Sequence, residues 1–296
     1  MGAKLRETRR RIRSIESTKR ITKAMELIAA SRILRAQQRV QQSRPYSALI
    51  TRVMQGVVNQ MDEIVHPLLE ERKERRAAAV VVITSDRGFA GAYNSNVLRT
   101  TEELTARLRS EGMEPKLYVT GRKGISYFRF RERPVEQSWR GFSEIPSYQD
   151  AKVVSDAVID AFADGEVDEI HVVHPNFASA LVQSPEARRL VPLVIEETAE
   201  APPGPLPLYI FEPSAEYLLG ELLPRYVGAR LYTAMLESAA SEQAARRRAM
   251  SAATDNAEEL IKILTRQANQ ARQAEITQEI MEIVGGAEAL RQASGE

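Results

Sequence analysis

The residues best placed to do chemistry lie in the run Ser85-Asp86-Arg87-Gly88-Phe89-Ala90-Gly91. The run follows an apolar stretch, Ala77 to Thr84, that reads as a buried strand, and it precedes a helical segment with Asn94 as its expected N-cap. A glycine turn between strand and helix is where α/β proteins hold phosphate on backbone N–H groups. Here the spacing is neither G-x-G-x-x-G nor G-x-x-x-x-G-K-[ST], and TGRKG, Thr120 to Gly124, carries its lysine in the wrong frame. The spacing favours a structural turn, and no cofactor is expected. His171 and His174 stand three apart on an expected strand, VDEIHVVH, so they face opposite sides and do not jointly hold a metal. With 0 cysteines, thiolate nucleophiles, disulfides and cysteine-ligated metals are excluded. No seryl, carboxylate or metal constellation stands out as catalytic.

Charge is the other chemical signal. Net charge is +1, yet Met1 to Arg52 carry 14 Lys or Arg against 3 acids. Fields from exposed charges are screened beyond about 8 Å at physiological salt, so this basic front must act on an anionic partner that touches it. A nucleic acid is disfavoured as that partner, because no aromatic precedes Tyr46 to stack on bases. The triplet Arg246-Arg247-Arg248 is expected on a helix, where successive residues point about 100° apart. At most one or two of the three can face any one partner.

The elements that must position these residues divide the chain into three expected segments. From 1–60, no Gly or Pro interrupts the sequence between Gly2 and Pro45, and Leu5, Thr8, Ile12, Ile15, Thr22, Met25, Ala29, Ile33, Ala36 and Val40 recur at steps of mostly three and four. That is the narrow seam of a coiled coil. From 212–286 a second seam carries Met250, Thr254, Ala257, Ile261, Leu264, Ala268 and Ala271, with Gly285-Gly286 as its expected C-cap. Two long seams in one chain predict each other as partners. Between them, 75–200 alternates strands with helices: KLYVTG as strand, a short helix from Arg122, an amphipathic helix over Tyr148 to Ala163, then VDEIHVVH. That alternation predicts a Rossmann-like, mainly parallel α/β domain. APPGPLP, Ala201 to Pro207, reads as a stiff linker. The chain has no run of about 18 uncharged apolar residues, so no membrane insertion is expected, and its charged N-terminus is unlike a signal peptide.

Four motifs in order, ITKAMELIAASR from Ile21, SDRGFAGAYN from Ser85, ESAASEQAARRRAMSAATDNAEELI from Glu237 and RQAEITQEIMEIVGGAEAL from Arg272, closely resemble the gamma subunits of rotary ATP synthases. Phe89 and Ala90 depart from the Leu and Cys common in that family, and Arg247 adds a charge. The resemblance implies a non-catalytic central-stalk rotor: an antiparallel coiled coil within a ring of alternating alpha and beta subunits. At its foot the α/β domain would contact epsilon and the membrane c ring, on the cytoplasmic face of the cell membrane. It also implies coupling contacts to beta at Met25 near the turning surface and at Arg246, Arg272, Gln273, Thr277 and Glu282 in the C-terminal helix. Placing Met25 level with Arg246 sets an index sum of about 271, within about a turn, for antiparallel partners.

Overall fold

The computed structural model describes residues 3–58, 72, 74–177, 179, 183–192 and 215–293. The expected linker Ala201 to Pro207 lies outside them. Two compact units emerge, one formed by the ends of the chain, 1–28 with 247–296, and one by 29–246.

In the first unit the start of helix α1 (Ala3–Val58) pairs with the later part of helix α5 (Ala215–Ala293). The seam is as expected, with Leu5, Thr22, Met250, Thr254, Ala257 and Ala268 all buried. Antiparallel direction follows from two cross-helix contacts: the Thr22 and Thr254 hydroxyls meet at 2.8 Å, and Lys19 Nζ lies 3.0 Å from Glu258 Oε2. These put the index sum near 276, more than a turn above the expected 271. The position of an apolar seam fixes which face pairs but not how far along; the buried hydroxyl pair decides the register. In this cysteine-free chain, Thr22→Cys with Thr254→Cys is expected to form a disulfide on mild oxidation. Thr22→Cys with Met250→Cys, one turn away, should not, since a bridge needs Cα atoms within about 7 Å. Mobility on non-reducing gels distinguishes the two.

The helix ends differ from those the punctuation residues imply. Helix α1 continues through Pro45. An interior proline costs about 3 kcal/mol, but the extension buries Ile50 and Met54, each worth about 1.5–3 kcal/mol. Helix α5 passes Gly285 and Gly286 and is helical to Ala293. Neither glycine adopts the positive φ of a C-cap, so they lower helix propensity without ending the helix.

In the second unit, strands β1 (Ala77–Ile83), β2 (Glu114–Thr120), β3 (Gln137–Trp139), β4 (Glu169–Phe177) and β5 (Gln183–Val191) form one sheet in the order β3-β2-β1-β4-β5. All neighbours are parallel except β4 and β5. Strand β1 is central and buried throughout, which is why it reads as continuous Ala and Val instead of alternating with polar residues. Its odd positions, Ala77 to Ile83, pack with helix α4 (Tyr148–Ala163), Met54 and the start of α5 through Leu223, Val227 and Leu231. Its even positions pack with helices α2 (Tyr93–Ser110) and α3 (Arg122–Phe130) through Leu104, Leu108 and Phe128. Helix α4 begins where the sequence places it, fixed by a reciprocal capping box between Ser147 and Asp150.

Candidate functional site: a sealed turn and a shared carboxylate

The Ser85 to Gly91 turn sits at the carboxyl end of β1, where an open α/β protein would receive a ligand. Here the chain fills that place itself. The Asp86 carboxylate accepts from Gly141 N at 2.7 Å, Ser143 N at 3.2 Å and Arg122 N at 3.2 Å. The last of these donors belongs to the first residue of α3, so the helix end that could bind phosphate already faces an anion. Behind it the packing is too tight for a guest. A side-chain carbon on Gly121 would lie 2.2 Å from Thr84 O, and one on Gly124 would lie 2.7 Å from Thr84 Oγ1. Asn94, expected as the N-cap of α2, instead turns back, its Oδ1 accepting from Ser85 N at 3.0 Å. Helix α2 starts at Tyr93 with no side-chain cap.

What this turn holds is an interior stretch of α5. Arg246 donates to Gly88 O through Nη2 at 3.2 Å, to Glu242 Oε1 at 2.6 Å and to Glu144 Oε1 at 3.3 Å. Glu144 is shared further: its Oε2 lies 2.6 Å from Arg32 Nη1 on α1 and 3.5 Å from Arg87 Nη1 on the turn. One carboxylate therefore joins both long helices to the α/β turn. Alongside, Tyr93 of α2 shares a hydrogen bond with Ser238 of α5. Glu242 is wholly buried, and burial first, then the neighbouring Glu144, raise its pKa, while Arg246 opposes that rise.

The six residues singled out by resemblance fall into three settings. Arg246 is 5% exposed, so it faces the interior of this chain; Arg247 and Arg248 take the exposed positions that helix geometry leaves to them. Met25 is half-buried on the seam. Arg272, Gln273, Thr277 and Glu282 are exposed on α5, with Thr277 Oγ1 donating to Gln273 O at 2.9 Å and Glu282 accepting from Gln278 at 2.9 Å. From Ile276 to Val284 every side chain is exposed, including Ile280 at 54% and Ile283 at 72%. Glu144 and Arg32 were not visible as functional from sequence. Glu144 sits in an irregular loop outside every motif, and Arg32, though it closes the motif ITKAMELIAASR, lies off the seam, where nothing local points to its partner.

The two histidines are both buried and serve separate pairs. His171 meets Glu169 at 2.8 Å, and the Glu169 carboxyl is held down at about 2, chiefly by that bond. His174 lies 3.4 Å from Glu186, and burial lowers its pKa to about 4. Among the described residues, no group of three or more His, Asp or Glu could hold a metal, and no helix is long and apolar enough to cross a membrane.

A two-helix antiparallel coiled coil and a Rossmann-like module whose turn after β1 is filled by its own side chains define the class: a coiled-coil stalk protein with an α/β domain. Residues 4–290 match the family model described as ATP synthase. The chain is 61% identical over 295 residues to the ATP synthase gamma chain of Acidothermus cellulolyticus, covering 98% of each. It is 62% identical over 300 residues to that of Frankia casuarinae, covering all of both. The chain belongs to the ATP synthase gamma chain family. Among solved structures, a chain of the Euglena gracilis mitochondrial ATP synthase superposes with a TM-score of 0.69 at 17% identity, over 100% of this chain and 97% of that one. A central-stalk chain of the Tetrahymena thermophila enzyme gives 0.59 at 24% identity, over 79% of this chain and 99% of that one. At these identities the likeness is one of fold.

Proposed function

We propose that this chain is the rotor of a proton-driven ATP synthase at the cytoplasmic face of the cell membrane. In this reading α1 and α5 turn within a ring of alpha and beta subunits while the α/β module meets epsilon and the c ring. Family membership along almost the whole chain supports the reading, and the single observation that carries the mechanism is the apolar, unpacked end of α5. Nine consecutive exposed positions rich in isoleucine, Ile276 to Val284, cost solvation unless another surface covers them. The chain itself makes no bond in ATP. Each rotor angle favours one conformation of a beta site over the others, so turning the stalk redistributes those conformations. Met25, Arg272, Gln273, Thr277 and Glu282 are the proposed contacts to beta. Arg246 contributes from inside, by fixing α5 to the turn and to Glu144.

Co-expression with cognate alpha and beta subunits tests this. The chain is expected to co-elute with them and to raise ATPase turnover. Replacing Arg272 and Gln273 together by alanine removes two exposed interface side chains, and a combined loss of about 1.4 kcal/mol, in the range of alanine replacements at interfaces, is expected to lower that turnover roughly tenfold with the circular dichroism of the chain unchanged. Normal turnover by the double variant would remove these residues from the coupling surface.

A further inference from the structure

We propose that the groove between α1, α4 and the first part of α5 is a binding site for an aromatic monocarboxylate carrying a second, hydrogen-bonding group. The cavity measures about 630 Å³, within the roughly 300–1,000 Å³ of small-molecule sites. Three tyrosines wall it. Tyr148 and Tyr232 meet edge to face with ring centroids 5.9 Å apart, and Tyr46 lies across from them with 49% of its surface left to solvent. A planar ring placed among them meets both faces and edges, the geometry aromatic side chains favour.

The charges select an anion, and a singly charged one. Among the described residues, Arg39, Lys152 and Arg225 line the cavity and no carboxylate does. Lys152 is taken by Asp156 at 2.5 Å and Arg225 by Glu221 at 3.2 Å. Arg39 has no carboxylate partner among the described residues, so one guanidinium is available for one carboxylate, a pairing that is strong and directional. Asp156 and Glu221, which border the adjoining recess, balance Lys152 and Arg225 there and leave no surplus positive charge for the phosphate chain of a nucleotide.

That recess, about 230 Å³, shares Tyr148, Lys152 and Arg225 with the main cavity. On its wall Ser155 is 1% exposed and its Oγ has no hydrogen-bond partner. Buried hydroxyls are rarely left so. Opposite stands Gly228, where a side-chain carbon would lie 3.4 Å from Tyr148 Oη and 3.6 Å from Ser155 Oγ; the missing side chain keeps the recess open. A phenol hydroxyl or indole N–H entering there meets the Ser155 hydroxyl while the carboxylate at the other end meets Arg39.

Titration of the full chain, followed by protein NMR, uses indole-3-propionate as probe and its neutral amide as control. The acid is expected to bind at about millimolar strength or better, as suits so small a ligand, and several-fold more tightly than the amide. Arg39→Ala should weaken the acid about tenfold and leave the amide unchanged. Gly228→Leu, which fills the recess on a helical backbone free of positive φ, should weaken both. Adenosine monophosphate should not displace the acid. Equal binding of acid and amide with no effect of Arg39→Ala would overturn the assignment. So would binding of neither probe, and if the groove tyrosines were then shielded in the assembled complex, the groove would belong to a protein partner instead.

Discussion

Replacing Arg246 by alanine is expected to lower the unfolding free energy of the full chain by about 3–5 kcal/mol at pH 8, the usual cost of removing one partner from a buried ion pair. The cost is set at the upper end of single substitutions by what remains. The Glu242 side chain is 0% exposed and the Arg246 side chain 6%, so the variant keeps a carboxylate inside the protein with its guanidinium gone. Gly88 O also loses its donor. The loss should depend on pH in a defined direction. The Glu242 pKa is already raised by burial, and without Arg246 it rises further. A carboxyl whose folded pKa exceeds its unfolded value of about 4.3 stabilises the fold fully below that value and ceases to do so as pH climbs through the folded pKa. The deficit relative to the parent is therefore smallest near pH 4 and grows towards pH 8. Urea unfolding at a series of pH values measures it. A deficit under about 1 kcal/mol at pH 8, or one that shrinks as pH rises, would show that Glu242 is not held charged by Arg246.

The second large effect is in exchange rates at the end of α5. In the isolated chain, amides from Ile276 to Val284 are expected to exchange within about tenfold of the unprotected rate, because a single helix packed on nothing opens with a free energy near zero. The seam amides around Thr254 and Ala257, where the side chains are buried, should exchange far more slowly. On assembly with alpha and beta, the Ile276 to Val284 amides should slow by at least about 100-fold, whereas the seam should change little. Deuterium uptake followed by mass spectrometry resolves the two segments. Equal uptake at the α5 end with and without partners would remove it as a bearing surface.

Much of the architecture was legible in local patterns because those patterns have local causes. Helix α4 begins at Tyr148 and ends at Ala163, as its amphipathic spacing implies. Strand β1 reads as buried on both faces, and it is. The two seams, too, identify their buried faces correctly. What escaped the sequence is set by distant parts of the chain. The register near 276 depends on a hydroxyl meeting across 232 positions. The passage of α1 through Pro45 depends on what Ile50 and Met54 find to pack against. Of the candidate site, the closed turn followed from glycine spacing, but Glu144 lies 112 positions from Arg32 and 102 from Arg246, and no local pattern joins them. The triplet of arginines marked a boundary between inward and outward faces; only the fold says that Arg246 is the one turned in.

The Thr22 and Thr254 pair has a mechanical consequence. Most of the seam is apolar, and apolar contacts are non-directional, so by themselves they do not fix how far along the two helices pair. A slip of one turn takes each hydroxyl off the other, at a cost of about 0.5–1.5 kcal/mol, and parts Lys19 from Glu258. These contacts act as a pin across the seam: a twisting load applied to one helix is carried into the other as strain in the pair, and is not dissipated as shear between them.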